Sequence, residues 1–342
     1  MFSLAVYWGN CLLSILIAKL GTMINREKTT VLAIVSALPI FIITSIRYDV
    51  GSDYFSYRSI YELMQYGDSG RYEWLFYLMN RFVGFFDADP QWIFVVSAAI
   101  FLYCSFKRLW TDSPNPGLSI FLLMGSMIYF TYLNGMRQLL GCSICFYAIE
   151  YAYKRRPLPF FLLVFLASGF HQICVLFSIA YFLNWIKFDL KKALVAIAGT
   201  YVFSQTIFKF VINILADTSY GNYMLNDIDD LVTFIPINVA VWLFCVVFYN
   251  KNNPRYRLYL NCQFVMVLLS LFYWQIPLIA RVMWTFWLPQ IVLIPMALDG
   301  INPKVLRLFF GASIIILFFI YSSYSIAVNF SHNVVPYQTI WG

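Results

Sequence analysis

The sequence has little charge and almost no histidine. Asp, Glu, Lys and Arg make up only 11% of the 342 residues, and His occurs twice. With 61% of the chain hydrophobic and apolar runs recurring from end to end, that scarcity leaves no room for a sizeable soluble domain. The fold class it indicates is an all-α polytopic membrane protein. The seven cysteines all lie in apolar segments. Cys142 and Cys145 form a CxxC only because one helix contains both. The converging partners that a zinc or disulfide site needs are missing from these runs, so the cysteines read as packing residues and no metal site is expected. The first run, Phe2 to Leu20, lacks a basic n-region and a small-residue cleavage site, and is read as a retained first helix.

What is present is length enough for many crossings. A hydrocarbon core about 30 Å thick takes about 20 residues per helix, which predicts about ten full transmembrane helices. The predicted crossings are 2–20, 30–46, 91–106, 118–134, 137–153, 193–209, 232–250, 258–275, 282–298 and 305–326, within one membrane-embedded domain spanning 1–342. Sixteen of the 23 basic residues cluster in short breaks between apolar runs, such as Lys107 and Arg108 or Lys154 to Arg156. The positive-inside rule puts those breaks in the cytoplasm. The basic residues left for the far side are Arg47, Arg58, Arg71, Arg81, Arg137, Lys209 and Arg281. Most acidic residues fall there too, in outer loops at 47–90 and 210–231.

Two segments resist simple crossing. Residues 73–86, "EWLFYLMNRFVGFF", are short for a span and carry Glu73, Tyr77, Asn80, Arg81 and Gly84 on one stripe, which predicts an interfacial or re-entrant helix. Residues 158–186 run between two basic clusters that both belong in the cytoplasm, yet suffice only for two half-helices. A re-entrant hairpin is predicted there, with His171 in its turn, "ASGFHQ". Non-helical backbone at membrane depth is tolerated only where protein or a water-filled cavity covers it, so this turn would mark an active cavity.

The polar residues then narrow the chemistry. In "IRYDVGSDYFSYRSIYE", Arg47 and Asp53 flank a turn that Gly51 permits, so guanidinium and carboxylate can reach one cavity. Tyr54, Tyr57, Tyr61 and Arg58 read as interfacial anchors. In "NGMRQLLG", Arg137 and its neighbour Gln138 open an apolar helix, where a helix N-terminus already favours anions and a planar guanidinium fork suits phosphate. Arg281 sits between two apolar halves, and a charge near the membrane interior is a functional candidate. His171 can accept a proton; His332, in the C-terminal stretch, lacks that support.

Taken together, "IRYDVGSDYFSY", "MRQLLGCSICFYAIEYAYKRRPLPFFLLVFLASGFHQ", "ARVMWTFWLPQIVLIP" and a late "VVPY" resemble the EpsG-type family of Wzy polysaccharide polymerases. The likeness covers nearly the whole chain. Ser52 stands where the family usually shows Thr, and Gln172 where a Pro or Ser often follows the His; neither removes a charge or a proton carrier. The resemblance implies a GT-C-like fold and an inverting, metal-independent glycosyltransferase without a cofactor, in the bacterial cytoplasmic membrane and facing the periplasm or outside. It would transfer a growing glycan from undecaprenyl pyrophosphate to the non-reducing end of a lipid-linked repeat unit, with a chain-length regulator protein as a possible partner and no nucleic acid. Arg137, Gln138 and Arg281 would serve the pyrophosphates, Arg47 the same pool or Asp53. His171 and Asp53 are rival bases, with His171 favoured for its deeper place. A lipid-linked oligosaccharide flippase and a membrane O-acyltransferase are the alternatives. The chain shows no clear internal repeat of the kind many transporters carry, and its charged candidates lie opposite a cytoplasmic acyl-donor path.

Overall fold

The computed structural model of the chain describes residues 2–24, 29–67, 72–215, 231–273 and 279–341. Among them the chain is helical, without strands, in the order α1 (Phe2–Ile24), α2 (Thr29–Ser45), α3 (Tyr54–Gln65), α4 (Trp74–Gly84), α5 (Gln91–Asp112) and α6 (Pro116–Gly125). There follow α7 (Ile128–Asn134), α8 (Met136–Tyr153), α9 (Pro157–Ser168), α10 (Ile179–Leu183) and α11 (Leu190–Leu215). The last are α12 (Leu231–Val247), α13 (Tyr256–Ser270), α14 (Ile279–Trp284), α15 (Gln290–Asp299) and α16 (Lys304–Ala327). Short 3-10 helices occupy Gln172–Ser178 and Ser331–Asn333. The predicted outer loop at 210–231 lies mostly outside the described residues.

The packing is that of a membrane protein. On α1 the buried stripe is Ser3, Tyr7, Cys11, Ser14, Ala18 and Gly21, small or polar for the most part, while Leu12, Leu13, Leu16 and Leu20 are exposed. On α16 Leu308, Phe309, Ile316, Leu317 and Ile320 are exposed in the same way. Such continuous apolar exposure is what lipid covers, and small residues at helix contacts let backbones approach. α5 lies at the centre, packed on α2 and α8.

The prediction of about ten crossings is met in part. Among the described residues α1, α5 and α16 are each long and apolar enough to cross, and α6 with α7 forms a fourth such span bent by 50°. Several others, α2, α9 and α15 among them, are shorter apolar helices. The bend divides the predicted 118–134 span where Met127 takes a left-handed φ of 69°. The predicted 282–298 span is likewise divided into α14 and α15. There Pro289 has no N–H to donate and disfavours helical backbone at Leu288, so the chain passes through tight turns from Thr285 to Trp287.

Both irregular segments are helical and short. α4 buries Phe76, Met79, Asn80 and Val83 and exposes Trp74, Leu78 and Phe82, so that both faces are largely apolar and Asn80 of the predicted polar stripe lies inside. α9 and the pair formed by the 3-10 helix with α10 are two legs of twelve residues each, neither reaching across about 30 Å. Their join, Gly169 to His171, is the tip. One helix in this region was not anticipated. α3 buries Tyr54, Tyr57 and Tyr61 with Met64, so these tyrosines are core residues and not interfacial anchors. Their hydroxyls donate to Gln91 Oε1, Asn134 O and Ala88 O at 2.7, 3.0 and 2.6 Å.

At the end of α8 remote from Arg137, charges close on one another. Arg108 contacts Asp112 at 2.9 Å and Glu150 at 3.1 Å, and Arg255 contacts Asp112 at 2.6 Å as well as Glu150. Lys154 pairs with Glu150 at 2.7 Å, and Tyr259 donates to Asp112. These residues tie α5, α8 and α13 together.

Candidate active site

The site starts from the turn after α2. Gly51 has φ 96°, a conformation that favours glycine, and a Cβ there would lie 2.6 Å from Asn134 Oδ1. Arg47 is 1% exposed. Its Nη1 donates to Val50 O at 2.6 Å and Leu133 O at 2.8 Å, and its guanidinium lies 4.8 Å from the Phe94 ring centroid. Among the described residues Arg47 makes no ion pair with Asp53. Its geometry is that of a pin holding the turn to α7.

The C-terminal stretch clasps the same turn. Gly51 N and Ser52 N donate to Asn333 O at 2.9 Å and His332 O at 3.3 Å, and Asn134 Nδ2 also donates to His332 O at 3.0 Å. Tyr48 N donates to Gln338 O, Ile340 N donates to Ile46 O, and Arg47 forms an isolated antiparallel bridge with Thr339. Tyr7 and Tyr337 hydroxyls anchor the clasp on Val334 O and Ile43 O at 2.7 and 2.9 Å. The turn ends at Asp53, exposed at the start of α3.

The hairpin tip and α8 supply the facing side. Gly141 on α8 allows the close approach, since a Cβ there would meet Cys174 Sγ at 2.6 Å and Ala167 O at 2.9 Å. Packing the hairpin this tightly sets His171, only 9% exposed, at the tip with extended backbone. Its Nδ1 is buried without a hydrogen-bond partner. Arg137, in the first turn of α8, pairs through Nη1 with Glu73 Oε2 at 2.6 Å. Gln138, 3% exposed, donates from Nε2 to Arg281 O and so ties α8 to α14. The Arg281 side chain is exposed and makes no ion pair among the described residues.

Two of these arginines, Arg137 and Arg281, act on both His171 and Asp53. Burial, with the positive fields of Arg137 and Arg281, pushes the His171 imidazole down to about 4. Near neutral pH this imidazole is held uncharged. Asp53 moves the other way. Partial desolvation raises its carboxyl from the usual range, against the pull of Arg281, Arg137 and Arg47 in that order. Asp53 and His171 thus stand in the field of the same two arginines.

A profile of the EpsG family matches residues 30–339. The chain belongs to the EpsG family. No curated protein and no solved structure matches it. Membership associates this EpsG-family chain with a polysaccharide-polymerase-like glycosyltransferase role in a membrane, acting on lipid-linked oligosaccharide. The matched span takes in the Gly51 turn, the start of α8, the hairpin tip, α14 and most of the clasp.

Three contributors to this candidate site of the EpsG-family chain carry weak sequence signals. Glu73 shows only as one polar residue on the α4 stripe, and nothing in its spacing points to Arg137. Asn134 and the clasp at 330–341 act through contacts across up to 334 positions, which no local pattern records.

Proposed function

We propose that this chain is a polysaccharide polymerase that transfers a growing glycan from undecaprenyl pyrophosphate onto the non-reducing end of a lipid-linked repeat unit. In this reading about ten segments cross the cytoplasmic membrane, α9 to α10 form a re-entrant hairpin, and the site faces outward. An acceptor hydroxyl attacks the anomeric carbon opposite the pyrophosphate. The new C–O bond forms as the bond to pyrophosphate breaks, and the leaving oxygen keeps the electron pair. One in-line displacement inverts the anomeric centre.

The side chains divide that work. The hydroxyl proton goes to the His171 imidazole, and Arg137 and Arg281 take up the charge that develops on the leaving pyrophosphate. Arg47 and Gln138 hold the turn and α14 in place. The observation that carries the reading is a neutral, buried histidine with an unpartnered Nδ1 facing the field of two arginines. In the free enzyme burial weakens His171 as a base, and those fields weaken it further. An anionic pyrophosphate cancels them, so the substrate itself lifts the imidazole toward its ordinary value of about 6.5.

The test compares purified wild type, His171→Ala, His171→Gln and Asp53→Asn on a lipid-linked repeat unit. Both His171 variants are expected to lose at least about a hundredfold in rate, with Asp53→Asn the milder lesion. A His171→Gln enzyme of near-normal rate beside an inactive Asp53→Asn would move the base to Asp53. Normal rates from all three would remove the assignment.

A further inference from the structure

Glu73 makes a connection that the proposed chemistry has not used. Its side chain is 17% exposed, and its two oxygens accept from two different elements. Oε2 takes Arg137 Nη1 at 2.6 Å, and Oε1 takes the backbone N–H of Gln172, next to His171, at 3.3 Å. Beside it, Leu75 N and Phe76 N donate to Gly169 O at 2.8 and 3.0 Å. The rings of Tyr72 and Phe76 lie 5.3 and 5.4 Å from the Arg137 guanidinium carbon. Residues 72–76 therefore embrace Arg137 with one carboxylate and two rings, and hold the hairpin tip with the same carboxylate and two backbone donors.

We propose that Glu73 is a positioning residue that fixes the distance and orientation between Arg137 and the His171 turn, so that pyrophosphate and the departing proton are handled in one geometry. The inference rests on the polymerase reading above and adds to it a residue that acts through Arg137. A carboxylate is required because both of its ends must accept. Glutamine offers one acceptor and one donor, so it satisfies Arg137 or Gln172 N but not both. Aspartate keeps two acceptors but is one methylene shorter and cannot span the gap without moving the tip.

The test is a double-mutant cycle on the full-length purified enzyme with a lipid-linked repeat unit, using Glu73→Gln, Arg137→Ala and the double variant. Glu73→Gln alone is expected to lower kcat/KM by about tenfold to a hundredfold, the loss that follows when a hydrogen bond to a charged group goes. In the Arg137→Ala background the same change is expected to cost less than about twofold, because its partner has already gone. Equal losses in both backgrounds, or a Glu73→Gln enzyme as active as wild type, would overturn the role. If Glu73→Gln does not accumulate in the membrane, Glu73→Asp enters the cycle with the same expectations. Arg137→Ala separates the two levels of inference. A normal rate from that variant sinks the pyrophosphate role of Arg137 and the Glu73 proposal with it, whereas a crippled Arg137→Ala with additive losses sinks Glu73 alone.

Discussion

α8 carries a charged cluster at each end, and the two are built on opposite plans. From Arg137 to Glu150 the helix rises about 20 Å. At the Glu150 end two acids meet three bases, and both oxygens of Asp112 are taken, by Arg108 and Arg255 on one side and Tyr259 on the other. At the Arg137 end, among the described residues, the one ion pair is Arg137 with Glu73, while Arg137 and Arg281 act through space on both His171 and Asp53. A closed network has no valence left for a ligand. An open one, with Arg281 outside any ion pair among the described residues, has a place for an anion, and that contrast is what the proposed function draws on.

The largest effect that would break the comparison is at the closed end. Asp112 has a fully buried side chain, and Asp112→Ala removes one of the two carboxylates that Arg108 and Arg255 share, leaving both on Glu150 alone and Tyr259 without its acceptor. A loss of about 3–5 kcal/mol in stability is expected, read as a lower melting temperature and lower membrane level. Activity per folded molecule should stay near wild type. A stable Asp112→Ala enzyme with a collapsed turnover would mean that the closed end takes part in the reaction.

Next in size is the replacement of Arg281 by lysine, which keeps the charge and removes the planar fork. A drop of about tenfold in kcat/KM is expected for Arg281→Lys at unchanged membrane level. Arg255→Lys at the closed end should show the reverse pattern, with the cost in melting temperature and not in turnover.

The smallest effect is a shift in pH dependence, and it sharpens the contrast. In the free enzyme His171 binds a proton only as pH falls through about 4, so the acid limb of kcat/KM, which reports that form, should lie near there. With pyrophosphate bound the imidazole rises, and the acid limb of kcat should lie at higher pH by about one unit or more. Arg281→Gln removes one positive field and should move the kcat/KM limb upward, whereas Arg281→Lys should leave it in place. Coincident limbs in all three enzymes would show that His171 is not the titrating group.

Much of the fold was legible because hydropathy records what lipid requires. α1, α5 and α16, the short α4 and the two-legged 158–186 segment all follow from run length. α3 was missed because Tyr54, Tyr57 and Tyr61 look like interface residues until their spacing is joined to Met64. Hydropathy alone also passes over the break at Met127, where the cause is a backbone dihedral. In the proposed site, Asp53, Arg137, His171 and Arg281 stand out in the sequence as rare polar groups beside apolar runs. The capture of Arg47 by Val50 O and Leu133 O does not, because its partners are backbone carbonyls that every residue possesses.

The clasp has a consequence for the order of events during synthesis. The turn that presents Asp53 is closed by residues far downstream, with the Ser52–Asn333 contact alone reaching across 281 positions. Those residues leave the ribosome after α1 to α16 have done so. A nascent chain can therefore insert its helices, pair its ions at the closed end and still lack the backbone partners of Gly51 and Ser52. The Gly51 turn is therefore among the last parts of the fold to gain its backbone partners.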